Sequence, residues 1–312
     1  MRKRLLFGLL AGSLLLAVLP GVAAADGHLE VLEDVATVVA VKDPATTPDF
    51  PVDSISRADW DDLPCRVERN TQRLLDMFSE AGATATFFTL GWVAERYPAL
   101  VRRIADEGHE VASHGFGHQR VNLQTRAEFR EDIRRSKQFL EDITGQQVYG
   151  YRAPSYSISR ETFWAFDELC EAGYLYDSSI FPVRHDYYGI SDWTRFTAPA
   201  VKAANNLWQT CEDPNGESSI SEVPISTVTV AGKNFPIAGG GYFRLFPYEL
   251  TRRGLQHINR ADRQSFVFYL HPWEMDPDQP RMNGAGLKSR FRHYLNLHKT
   301  EERFWRLLSD FR

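Results

Sequence analysis

Apolar and polar residues alternate along this chain with two periods, and the switches between them mark out its elements. Val35–Val41 is a β-branched run of strand character, set in a stretch, 26–59, that Asp43-Pro44, Thr47-Pro48 and Phe50-Pro51 interrupt. Over 66–80, Leu74, Leu75 and Phe78 recur among charges at helical spacing, and Gly82 stops the helix. Residues 83–90 read as a buried strand, 98–107 as a helix closed by Gly108, and 109–113 as another short strand. Thr125 and Glu128 have the spacing of a capping box ahead of an amphipathic helix that runs to 143 and stops at Gly145. The alternation continues with a strand over 148–151, a helix over 159–172 ended by Gly173, and a strand end at 174–176. The stretch 186–234 reads as irregular loops over one face, with a turn at 213–216, and 223–230 and 265–270 read as late strands. Residues 289–294 are basic and aromatic, and with the helix that follows over 301–308 they read as a solvated face packed on the rest. Strand and helix at this pace predict an α/β fold, a parallel sheet with covering helices, whose size suits a distorted (β/α) barrel. In such folds the chemistry sits at the carboxyl ends of the strands.

Composition narrows the partners. The 312 residues are 43% hydrophobic and 25% charged, an ordinary globular balance that fits one domain. A net charge of -5 provides no basic field for a phosphate backbone, which argues against nucleic acid. Arg2, Lys3 and Arg4, an apolar core over 5–19 and small residues over 20–25 read as an export signal, residues 1–25, cut after Ala24 or Ala25. The apolar run is shorter than the roughly 20 residues of a spanning helix, so the expectation is an exported protein, periplasmic or extracellular, with no stable membrane insertion after cleavage. Cys65, Cys170 and Cys211 form no C-x-x-C pair, which argues against a cysteine zinc site, and being odd in number they allow at most one disulfide.

Four polar motifs fall at expected strand ends. In Ser113-His114-Gly115-Phe116-Gly117-His118 two histidines four apart would project on one side of a helical turn and reach one divalent ion. Arg152, in Tyr151-Arg152-Ala153-Pro154, has a planar fork suited to orienting a carboxylate or binding a substrate oxygen. Asp177 follows at the next strand end. His271, in Leu270-His271-Pro272-Trp273-Glu274, ends an apolar strand where a general acid would be partly desolvated. Taken singly, each has a bland reading as a chance spacing, a surface ion pair or a capping histidine.

Taken in order, they resemble a known family. From about residue 57 to the C-terminus the chain resembles the NodB-homology polysaccharide deacetylases, in the branch found beside exosortase (PEP-CTERM) exopolysaccharide systems. The resemblance rests on Arg66-Val67-Glu68-Arg69-Asn70, Ala85-Thr86-Phe87-Phe88, the 108–115 and 151–154 motifs, 181–186, Ala238-Gly239-Gly240-Gly241-Tyr242 and Leu270-His271-Pro272-Trp273-Glu274. It divides the chain into an export signal at 1–25, a poorly matched segment at 26–56 and a deacetylase domain at 57–312, with a C-terminal extension from about 240. The resemblance implies a distorted barrel and a divalent metal, usually zinc, held by His114, His118 and an aspartate. It further implies that Arg152 orients the catalytic base, that His271 is the general acid and that Asp177 sets the state of His271. Tyr242 and Trp273, beside Phe243, would line an aromatic cleft for an N-acetylated polysaccharide.

One departure stands out. The family's first strand ends in an acidic cluster, Asp-x-Glu-Asp, whereas Val39-Ala40-Val41-Lys42-Asp43 puts Ala40 where the first aspartate belongs and keeps only Asp43. Asp43 is therefore the candidate third metal ligand; Asp49 and Asp53 sit beside prolines and suit a strand end poorly. The alternative to an active deacetylase is a carbohydrate-binding relative impaired in catalysis. Oligomeric state is not encoded in any of these motifs.

Overall fold

The predicted alternation is present in the computed structural model, which describes residues 16–17, 35–41, 65–185, 188–203, 208–210, 219–281 and 287–311. In chain order the first half contains β1 (Leu16–Ala17), β2 (Val35–Val41), α1 (Val67–Ala81), β3 (Thr86–Thr89), α2 (Gly91–Arg96), α3 (Pro98–Asp106), β4 (Glu110–Ser113), α4 (Arg126–Thr144), β5 (Gly150–Tyr151), α5 (Trp164–Glu171) and β6 (Tyr176–Asp177). The second half adds β7 (Ala198–Lys202), β8 (Trp208–Thr210), β9 (Ser219–Glu222), β10 (Thr227–Val230), β11 (Lys233–Pro236), α6 (Gly240–Leu245), α7 (Tyr248–His257), β12 (Val267–Leu270), α8 (Leu287–Tyr294) and α9 (Thr300–Asp310).

The helix boundaries follow from local chemistry. Gly82, at φ 63°, supplies the left-handed residue that closes α1. At the start of α4 both capping-box bonds form, Glu128 N to Thr125 Oγ1 at 3.3 Å and Thr125 N to Glu128 Oε2 at 2.7 Å.

β12, β2, β3, β4, β5, β6 and β9 lie side by side in that order, every neighbouring pair parallel, and β7 and β8 extend the sheet antiparallel beyond β9. This is the α/β architecture read from the sequence. Among the described residues no ladder joins β12 to β9. A bond from Val267 N to Ser226 Oγ (2.7 Å) ties the start of β12 to the segment after β9, so the order is consistent with a distorted barrel.

Strand periodicity sends Phe87 and Val111 into the helix-covered core, and Phe88 and Ala112 into a second apolar cluster with Tyr176, Phe181 and Tyr269. Both faces are buried, which is why these strands read as continuous apolar runs. Ser113 registers with Tyr151, and Tyr151 with Asp177. His114 and Arg152 therefore leave neighbouring strands side by side, next to Asp177.

Several expectations change. The helix over 159–172 is a 3-10 turn, Arg160–Thr162, followed by α5. The face expected to be loops contains β7, β8 and β9, strands of three to five residues that are too short to show a period. The strand over 223–230 is instead the start of the β10–β11 hairpin, which turns at Ala231 and Gly232 with φ 50° and 74°. Alanine is an uncommon residue in that conformation and hid the turn. The basic aromatic stretch forms α8, with Phe291 exposed and His293 fully buried.

Of the export signal only Leu16–Ala17 is described, as a strand parallel to Val35 and Ala36. The rest of 1–25, together with Asp43, the turn at 213–216 and Cys211, lies outside the described residues. No described helix is long and apolar enough to cross a membrane.

Candidate active site

β4 delivers His114 at its carboxyl end. The residues after it do not form the expected helical turn. Gly115 (φ 76°) and His118 (φ 54°) take positive φ, and the rings of His114 and His118 stand 5.1 Å apart at 65°. The loop is held from α4: Phe116 N and Gly117 N donate to the two oxygens of Asp132 at 2.8 and 3.2 Å, and Ser136 Oγ donates to Gly115 O at 3.1 Å. A Cβ at Gly115 would come within 2.6 Å of Asp132 Oδ2, so glycine is needed there for space as well as for φ. Sequence reading missed Asp132 and Ser136. The available signal was Ser136 on the face of α4 that buries Phe129, Ile133 and Leu140.

Whether these histidines suit a metal can be judged from their bonding. His114 is buried, and its Nδ1 lies 2.7 Å from the carbonyl oxygen of Arg152. A carbonyl only accepts, so Nδ1 carries the proton and the ring lone pair sits on Nε2, the arrangement usual for a histidine that binds a metal. Two imidazoles so disposed fit a divalent ion. No group of three or more His, Cys, Asp or Glu able to hold a metal occurs among the described residues, and Asp43 is not among them.

Arg152 is 2% exposed. Its Nε donates to Ser178 O (2.8 Å) and its Nη2 to Ser178 Oγ (2.6 Å), and the guanidinium lies 4.5 Å over the Phe88 ring. Nη1 is buried with no hydrogen-bond partner among the described residues. Beside it, Asp177 accepts from Ser179 N (3.0 Å) and Ser179 Oγ (2.6 Å), and Ser179 Oγ in turn accepts from Ala153 N (2.8 Å). Asp177 thereby braces the arginine loop.

Asp177 registers with Glu222 on β9, a residue the sequence reading did not single out. Both carboxyls are fully buried. Burial raises the pKa of each, and the charge of Asp177 pushes Glu222 further up. Because the folded values lie above the unfolded ones, this pair stabilises the fold fully below about pH 4 and loses that contribution as pH rises through the folded values. Glu222→Gln can keep the bond from Ile180 N and removes the ionisation. Its denaturation midpoint, relative to that of the parent chain, is therefore expected to rise between pH 5 and pH 8, and an unchanged difference would contradict the pairing.

His271 has a different carboxylate from the one the resemblance implied. Its ring Nδ1 lies 3.0 Å from Glu274 Oε2, which also accepts from His271 N at 2.8 Å, while Asp177 is bonded to Ser179. The reason is local: Pro272 opens a 3-10 turn, Pro272–Met275, which carries Glu274 back onto the histidine that precedes it. Asp276, at the end of this turn, is clamped by Arg66 (3.0 Å) and Arg69 (2.8 Å), which accounts for the 66–70 motif at the head of α1.

The aromatic cleft also needs correction. Trp273 is buried, its ring stacked between His271 (5.7 Å) and His293 (4.2 Å), and Phe243 packs in the core against Phe268. Neither presents a face to a sugar. Tyr242 is half-buried, with its ring against Phe181 and Phe246.

The parallel α/β sheet places two adjacent histidines, a buried arginine and a third histidine at its strand ends, and its fold matches that of NodB-type structures. Residues 58–174 match the family model described as polysaccharide deacetylase, and residues 178–312 match a domain of unknown function, DUF3473. A peptidoglycan deacetylase of Helicobacter pylori is 32% identical over 108 residues, 35% of this chain and 36% of its own length. A peptidoglycan-N-acetylglucosamine deacetylase of Bacillus cereus is 31% identical over 99 residues, 31% of this chain and 36% of its own. The matched region thus spans just over a third of the length of these relatives. A crystal structure of a protein assigned to the polysaccharide deacetylases of Mycobacterium smegmatis superposes with a TM-score of 0.55 at 19% identity, covering 88% of this chain and 83% of that one, which bears on the fold. Similarity to the polysaccharide deacetylases is thus seen over residues 58–174, a little over a third of this chain.

Proposed function

We propose that the protein is a metal-dependent hydrolase that removes N-acetyl groups from a polysaccharide. The observation that carries this reading is the pairing of His114 and His118, rings 5.1 Å apart, at a strand end beside Arg152. In it the two histidines hold a divalent ion, zinc by the preference of imidazole donors, and Asp43 is the third ligand. A bound ion supplies Lewis acidity that polarises the amide carbonyl and lowers the pKa of water. His271 gives a proton to the departing amine nitrogen. Arg152, braced through Ser179 by Asp177, orients a carboxylate base that takes the proton of the attacking water, and the half-open ring of Tyr242 contacts the sugar.

The relatives named for peptidoglycan support an N-acetylated glycan as substrate. The resemblance to the exosortase-associated branch favours an exopolysaccharide, met outside the cytoplasmic membrane after export through the 1–25 leader. Calorimetric titration of the metal-free chain tests the metal assignment. One zinc per chain is expected, with tight binding abolished in His114→Ala; unchanged stoichiometry and affinity in that variant would refute it.

A further inference from the structure

The 178–312 region contains a buried charge hub that the deacetylase reading does not use. Arg244 on α6 and Glu274 are each 1% exposed and paired at 2.8 Å. The Nη1 of Arg244 donates to three carbonyls in and after α8, those of Arg292 (3.0 Å), His293 (2.7 Å) and Leu295 (3.2 Å). Its own carbonyl accepts from Asn296 Nδ2 (2.8 Å) and Arg303 Nη1 (3.1 Å). One side chain thus ties α6, the end of α8 and the approach to α9 to the turn that carries Glu274. Glu274 spends its other oxygen, Oε2, on the ring and the backbone of His271. The same ring is confined by Tyr269 at 5.9 Å and near-perpendicular, and by Trp273 at 5.7 Å and near-parallel. Behind Trp273 stands His293, whose pKa burial and the neighbouring Arg244 push down to about 3, so that it adds no charge to the stack.

We propose that Arg244 and Glu274 are positioning residues that fix the His271 imidazole with its proton on Nδ1, leaving Nε2 as the nitrogen that exchanges a proton with substrate. This gives the 178–312 region a task, that of a frame for the candidate acid. The proposal rests on the deacetylase reading for the role of His271, but not for the state of its ring. Glu274 can play this part because it is an anion: burial opposes its ionisation, and Arg244 and His271 outweigh burial to hold it at about 2. An anionic carboxylate only accepts, so the shared proton belongs to the imidazole.

The test is nitrogen NMR of the full chain, with the His271 resonances assigned by their loss in His271→Ala. The neutral ring is expected in the Nδ1–H form. Glu274→Gln, whose amide can also donate, should lose that preference and lower kcat for acetate release about tenfold or more with KM within about twofold, and Glu274→Asp should recover part of kcat. An Nε2–H ring in the parent chain overturns the proposal, whether or not the variants fold. So does a Glu274→Gln protein that keeps both tautomer and kcat. If no protein turns over, the deacetylase reading is at fault and the parent ring alone decides the positioning claim.

Discussion

Replacing Arg244 with methionine is expected to lower the free energy of unfolding by about 3–5 kcal/mol, the usual cost of breaking a buried ion pair from one side. Methionine has similar length and fills the space, so the loss reports the stranded Glu274 carboxylate and the three carbonyls that Nη1 served, not a cavity. Urea unfolding measures it as a fall in midpoint at constant slope. The pH dependence has a definite sign. The folded pKa of Glu274, about 2, lies below the unfolded carboxyl value, so its contribution is present above about pH 4 and is lost as pH falls through about 2. The gap between variant and parent should narrow over that acid range. A loss below about 1 kcal/mol at neutral pH would place the pair with exposed salt bridges, contrary to its burial.

His271→Ala should lower kcat/KM for acetate release by about 10²–10⁴-fold, on the order of 3–5 kcal/mol of barrier. The metal should stay, because His114 and His118 leave a different strand, and stability should change little, because His271 is partly open to solvent and its anchor Glu274 keeps Arg244. Zinc content and turnover measured on one preparation separate the two effects. Full turnover would remove His271 from the chemistry, and lost zinc would move it into the metal shell.

Much of the fold was legible because its signals are local. Glycines 82 and 145 closed helices where expected, the Thr125–Glu128 box opened one, and Val35–Val41 emerged as a strand of the same extent. The second half was harder to read. Its strands run three to five residues, and its hairpin turns on Ala231, which carries no turn signature.

At the site, strand-end positions for His114, Arg152, Asp177 and His271 could be read, since a residue following an apolar strand must emerge at the sheet edge. What holds them could not. Asp132 looked like one more charge on an amphipathic helix until the 115–117 loop folded onto it. Glu274 was visible beside His271, but its partnership depends on the turn begun by Pro272 and on an arginine 30 positions earlier in the chain. Trp273 was misread as a cleft wall because sequence shows an aromatic ring without showing what covers it.

The most direct test of the central claim is acetate release from N-acetylated chitooligosaccharides and poly-N-acetylglucosamine by the purified chain with added zinc, beside His114→Ala and Asp43→Asn. Zinc-dependent release is expected, and both substitutions should abolish it. A chain that binds zinc and glycan yet releases no acetate would contradict the deacetylase reading, and would leave a carbohydrate-binding protein on a deacetylase fold.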